Sequence, residues 1–285
     1  MRLVCHGGAG GAPDEPDPRQ GVLDEAAETG AAADGAVEAV VAAADVLEGD
    51  ERFNAGVGGA VQSDGVVRTD AGLMTSDRDA GAVASLAGVE NAAAAARVVM
   101  EETPHVFVAG DHAVDLAAEF GVGTGVDLST DATRERFESA DPPDGSPREH
   151  LAWVDERYAG HDTVGAVAYD PAADEFAACT STGGRFFALA GRVGDVPQVG
   201  SGFFAAPAGA ASATGAGEDI AKATLTRRAV RHLEAGSSAQ GAADRAMAEF
   251  GELTGSDAGV IVQDEAGVGS AFNTEAMQTA VARSE

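Results

Sequence analysis

The spacing of apolar residues along the 285-residue chain divides it into strands and helices. Arg2–His6 is a short buried strand that runs into a glycine loop, His6-Gly7-Gly8-Ala9-Gly10-Gly11. Val37, Val40, Val41, Ala44 and Leu47 share one face of a helix over about 34–48, with Asp34 as its N-cap. Gly59–Gln62 and Val66–Asp70 flank Asp64-Gly65, the signature of a hairpin. A strand at Ala82–Leu86, a helix at Ala92–Met100 opened by Asn91, a strand at His105–Ala109 and a helix at Ala113–Phe120 stopped by Gly121 follow.

From about Asp127 to Gly160 the chain turns acidic and holds Asp141-Pro142-Pro143-Asp144-Gly145-Ser146-Pro147, which reads as a mobile linker. Strands resume at Thr163–Tyr169 and Glu175–Thr180, helices come at about 218–235 and 239–250, and a strand at 258–263. Strands and helices on both sides of the linker predict two halves completing one layered body.

Composition narrows this picture. Hydrophobic residues make up 45% of the chain but aromatics only 5%, so the core must be aliphatic and closely packed. Cys5 and Cys179 sit in apolar strand-like runs, as free thiols do in a reducing cytoplasm. Apolar runs are too short for a membrane helix, and the first residues read as a strand, not as a secretory signal. The net charge of −29 makes nucleic acid and anionic membranes poor partners. Acid is dispersed along the chain and Lys222 is the only lysine, a pattern that suits high salt. There a Debye length of about 3 Å at 1 M, against about 30 Å at 0.01 M, weakens self-repulsion.

Four islands carry candidate chemistry: His161-Asp162-Thr163-Val164-Gly165-Ala166-Val167, Thr180-Ser181-Thr182-Gly183-Gly184, Gly191-Arg192-Val193-Gly194-Asp195 and Ala213-Thr214-Gly215-Ala216-Gly217-Glu218. In order and spacing they resemble the plant-type asparaginase/isoaspartyl peptidase family, a branch of the Ntn hydrolases. The resemblance extends over Phe53-Asn54-Ala55-Gly56, Asp70-Ala71 with Met74, Ala80–Ala84, Ala96–Glu101 and Phe272-Asn273-Thr274-Glu275. It implies an α+β fold, a four-layer αββα Ntn-hydrolase sandwich, forming one domain over 1–285. It also implies self-cleavage between Asp162 and Thr163 into pieces 1–162 and 163–285, and a dimer of the cleaved αβ units. The implied reaction is hydrolysis of the side-chain amide of L-asparagine and/or of β-aspartyl (isoaspartyl) peptide bonds.

The chemistry explains the residues. A threonine hydroxyl needs a base, and cleavage before Thr163 would give that residue an α-amine with an unperturbed pKa of about 7.7–8.0. By resemblance, Thr182 orients the Thr163 hydroxyl, and Thr214 with the Gly215 N–H lines the oxyanion hole. Arg192 and Asp195 hold the substrate's α-carboxylate and α-amine, with Val193, Gly194, Ala216 and Gly217 completing the binding wall. Asn54 stands at the site wall. The resemblance also implies a structural sodium ion on backbone carbonyls of about Leu47–Phe53. Neither His6, His105 and His161 nor the cysteines have metal-ligand spacing, so no catalytic metal is expected.

Three departures from the family pattern lie around the substrate mouth: Val57 where a basic residue is usual, Val196-Pro197 where Ser follows Arg-Val-Gly-Asp, and the apolar run Arg185–Ala190. His161-Asp162-Thr163 also resembles glycosylasparaginase, a sister branch. An uncut relative acting as a binding protein is the alternative outside catalysis, and no phosphate-loop lysine supports a nucleotide-binding reading.

Overall fold

Alternation along strand β1 (Arg2–Gly10) buries it on both faces, Leu3 and Cys5 in one apolar core and Val4 in another, and a register shift between His6 and Ala9 turns Ala9 to the side of Val4. A computed structural model of the chain describes residues 1–157 and 163–284. After β1 come helices α1 (Pro16–Ala31) and α2 (Ala36–Glu48), strands β2 (Arg68–Thr75) and β3 (Ala80–Ala87), helix α3 (Ala92–Glu102), strand β4 (Phe107–Ala109) and helices α4 (Asp111–Glu119), α5 (Asp131–Ser139) and α6 (Pro147–Arg157). The second half runs through strands β5 (Val164–Asp170), β6 (Glu175–Thr182), β7 (Phe203–Ala206) and β8 (Gly209–Gly215) and helices α7 (Gly217–Ala223), α8 (Leu225–Glu234) and α9 (Ala239–Thr254). Strands β9 (Ala258–Gln263), β10 (Val268–Phe272) and β11 (Ala276–Arg283) end it.

The fold is α+β. A seven-stranded sheet has the order β11-β1-β5-β6-β2-β3-β4, and a four-stranded sheet the order β10-β9-β8-β7. Neighbours are antiparallel except β3 and β4, which makes the larger sheet mixed. Helices α1 to α4 pack on one face of the larger sheet, where Leu23, Val40, Leu47 and Val99 meet Leu3, Leu73 and Leu86. Helices α8 and α9 cover the smaller sheet through Leu225, Val230 and Phe250. Between the sheets lie Val4, Met74, Val167, Phe176, Phe203 and Ile261. Alanines fill much of the rest of these cores, in keeping with the aliphatic composition. No helix among the described residues is long and apolar enough to cross a membrane.

Small residues let the sheets approach. A Cβ on Gly72 would lie 2.0 Å from Cε1 of the fully buried Phe203. Gly72→Ala is therefore expected to destabilise by about 1–3 kcal/mol through overpacking, read as a lower melting temperature. An unchanged melting temperature would show that Phe203 has room to move.

Several elements differ from the sequence reading. Helix α1 was not read from the sequence; its Pro16 and Pro18 both sit in the first turn, where a missing N–H costs little. Helix α2 starts after Gly35 (φ 101°) and takes no side-chain cap from Asp34. The expected hairpin around Asp64-Gly65 shrinks to one bridge, Val61 to Val67, because β2 pairs instead with β3 and β6. The helix expected over 218–235 breaks at Thr224, whose φ of 53° ends α7 and lets the Arg227 N–H donate to Gly200 O at 2.9 Å. The stretch read as a linker holds two helices, α5 with a Thr130–Thr133 capping box and α6, whose Trp153 donates to Ala140 O at 2.9 Å. His161 and Asp162, and with them one side of the expected cleavage bond, lie outside the described residues.

Candidate active site

The period-2 alternation that builds the inter-sheet core also aims the polar residues. On β2, Asp70 shares the parity of Met74; on β6, Thr180 and Thr182 share that of Ala178; on β8, Ser212 and Thr214 share that of Ala210. All therefore face the opposing sheet, toward one end of the molecule. Thr163 directly precedes β5 and is 5% exposed. Val164 pairs with Ser181, and Asp70 with Thr182, which brings Thr163, Thr182 and Asp70 to the same sheet end. Thr163, Thr182, Arg192, Asp195, Gly215 and Gly217 line one small cleft there.

A buried polar chain lies beside Thr163. His6, paired across the strands with Gly165, holds Nε2 2.9 Å from Ser212 Oγ, which lies 2.8 Å from Thr180 Oγ1. Thr180 in turn donates to Gly202 O at 2.9 Å. A Cβ on Gly165 would fall 2.0 Å from Ser212 Oγ and 2.6 Å from His6 Nε2, so glycine is the residue this packing allows. Burial pushes the His6 pKa down to about 3, which keeps the ring neutral.

Asn54 ties two loops together. Its Nδ2 donates to Gly184 O at 2.6 Å, its Oδ1 accepts from Ala60 N at 2.8 Å, and its carbonyl accepts from Gly183 N at 2.8 Å. The Thr182 hydroxyl accepts from Gly184 N at 3.0 Å. Thr214 is fully buried beneath the cleft, its Oγ1 accepting from Ala9 N at 3.4 Å, and Gly215 follows with a φ of 136°. A side chain at Gly215 would strike Asp257 O at 2.5 Å. Asn54, Thr214, Val193 and Ala216 are thus beside or beneath the cleft, not in its lining.

Arg192 is held bidentately by Glu218: Nε donates to Oε1 at 2.8 Å and Nη2 to Oε2 at 2.9 Å. Its guanidinium lies against Gly194 and Gly217, where added Cβ atoms would come within 2.9 and 2.8 Å of Nη2. The glycines of the third and fourth islands therefore make room for an arginine. Asp195 is 4% exposed, and its Oδ2 has no hydrogen-bond partner among the described residues. The sequence model of the asparaginase family matches residues 1–285.

This chain belongs to the asparaginase family. It is 38% identical to the isoaspartyl peptidase/L-asparaginase of Danio rerio, over 99% of this chain and 92% of that protein. It is 40% identical to the plant-type L-asparaginase of Pyrobaculum calidifontis over 96% of this chain and 94% of that one. The plant-type L-asparaginase of Pyrococcus furiosus is 38% identical over 98% and 95%. The family read from the four islands is thereby shown.

Within this asparaginase-family site, burial pushes the Asp195 pKa up to about 7, and Arg192 opposes the shift only in part. Burial raises Asp70 to about 7 as well; its Oδ1 accepts from Ser85 N at 2.7 Å. In the role the resemblance gives Asp195, only its ionised form attracts the substrate's ammonium group. Substrate KM is therefore expected to rise as pH falls below about 7, approaching tenfold per unit, and to flatten above it. A kcat/KM profile of wild type and Asp195→Asn checks this, and a wild-type KM flat from pH 5.5 to 8 would remove Asp195 from ammonium binding.

Asp70, Glu218 and Arg185 were not assigned roles from the sequence. Glu218 ends the fourth island and Asp70 stands in a matched segment, but nothing in the linear order shows that either approaches Arg192. The loop implied to hold sodium has carbonyls already in use: Glu48 O accepts from Val57 N, Asp50 O from Phe53 N and Arg52 O from Arg19 Nε. A sodium ion there would have to share these oxygens, and no step of the chemistry passes through it.

Proposed function

We propose that the protein is a self-processing amidohydrolase that cleaves the side-chain amide of L-asparagine and β-aspartyl peptide bonds. The observation that carries this reading is Thr163 at the head of β5, in one cleft with Thr182, Arg192, Asp195 and Gly215. Full-length similarity to relatives named isoaspartyl peptidase/L-asparaginase and plant-type L-asparaginase supports it.

In the precursor, Thr163 Oγ attacks the Asp162 carbonyl, the peptide shifts to an ester, and water releases the 1–162 piece. The freed α-amine then takes the Oγ proton, and Oγ attacks the substrate's β-carbonyl carbon. The Gly215 N–H donates to the oxyanion, with Thr214 buried directly beneath it. The carbon–nitrogen bond breaks as the amine returns the proton to the leaving nitrogen, and water hydrolyses the acyl ester. Arg192 and Asp195 fix the α-carboxylate and α-ammonium throughout.

The same reading includes the four-layer αββα sandwich, for which the three separate apolar cores speak. It also includes a dimer of cleaved αβ units, a cytoplasmic setting suited to the buried free cysteines, and a surface suited to high salt. The test is intact mass together with kcat/KM on L-asparagine and a β-aspartyl dipeptide. Two fragments, 1–162 and 163–285, and release of ammonia or amino acid are expected. A full-length chain that hydrolyses these substrates would defeat the mechanism, and a cut chain inert on all of them the substrate class.

A further inference from the structure

The cleft holds a second guanidinium that the proposed reaction does not use. Arg185 lines it together with Thr163 and Arg192, and its side chain is 16% exposed against 14% for Arg192. Both arginines converge on one carboxylate. Glu218 Oε2 is 2.9 Å from Arg192 Nη2 and 3.6 Å from Arg185 Nη1. The first contact is a full hydrogen bond, whereas the second is an ion pair beyond hydrogen-bond length. Arg185 lines the cleft beside Thr163, so a carboxylate arriving there meets its guanidinium.

The backbone that carries Arg185 is anchored. Gly184 (φ 85°) turns the chain, Phe187 N donates to Val61 O at 2.9 Å, and Ala188 N donates to Arg185 O at 3.2 Å. The Phe187 ring packs edge-on against Trp153 with centroids 5.1 Å apart, and Arg136 lies 3.8 Å over Phe186. The apolar run that departs from the family pattern is thus a mount that fixes where this arginine starts. Glu218 separates the two guanidinium charges and lets both stay in one cleft.

The candidate substrates differ in their number of carboxylates. L-Asparagine has one, and its leaving group is ammonia. A β-aspartyl dipeptide has a second, on the amino acid that leaves. Resting on the proposed function, we propose that Arg185, tethered through Glu218 to Arg192, is a specificity-determining residue that favours β-aspartyl dipeptides with a free C-terminal carboxylate.

The test compares kcat/KM for a β-aspartyl dipeptide, the same dipeptide as its C-terminal amide, and L-asparagine, using the self-cleaved enzyme. Wild type should prefer the free acid over the amide. In Arg185→Gln that preference should fall by about tenfold or more, the size expected of a charge-assisted hydrogen bond. Arg185→Lys, which keeps the charge, should retain most of it. An unchanged acid-to-amide ratio in Arg185→Gln overturns the proposal, whether both rates persist or both fall together. So does a wild type that turns over L-asparagine but ignores the dipeptides, an outcome that leaves the amidohydrolase reading intact. A wild type inert on all three defeats that reading as well.

Discussion

Thr163→Ala should yield a single uncut chain whose amidase activity is lower by about 10⁴-fold or more, the scale of removing a covalent nucleophile. In the proposed mechanism both steps use the same Oγ, so cleavage and turnover should vanish together. Denaturing electrophoresis reads the first and ammonia release the second. Thr163→Ser keeps a hydroxyl in the same place and should still cut and turn over, more slowly if the missing methyl loosens the rotamer. A cut Thr163→Ala chain would move the nucleophile elsewhere. An uncut chain with wild-type activity would sink the N-terminal amine as the base.

Arg192→Ala should raise KM by roughly 10- to 150-fold, since a hydrogen bond to a charged group contributes about 1.5–3 kcal/mol. Its kcat should change far less, because the α-carboxylate keeps its charge through the reaction and Arg192 binds ground state and transition state alike. Glu218, whose side chain is 42% exposed, keeps Arg185 and gains water when Arg192 is lost. The variant is therefore expected to fold and to cut itself, there being no substrate carboxylate during processing. Steady-state kinetics beside intact mass separate the two effects. Failure to cleave would make Arg192 a structural pin for the loop that carries Gly194 and Asp195.

Sequence alone reached β1, α2, α3 and β5, because these carry clear apolar spacing. It missed β7, β8, β10 and β11, whose runs of Ala, Gly and Ser give weak periodicity. Such residues form strands here because neighbours already in the sheet supply the hydrogen bonds.

What the sequence by itself determined is the family and the chemical vocabulary: Thr163, Thr182, Thr214, Arg192 and Asp195 are legible from islands in a fixed order. What only the tertiary structure decided is which groups touch. Antiparallel pairing places Asp70 opposite Thr182, residues 112 positions apart in the chain (182 less 70). The break at Thr224 ends the short helix α7, whose first turn carries the glutamate that grips Arg192 and reaches Arg185. A motif records side-chain types along one dimension. Whether a buried charge finds a partner depends on sheet register and on what packs above it, and these are settled by contacts between distant segments.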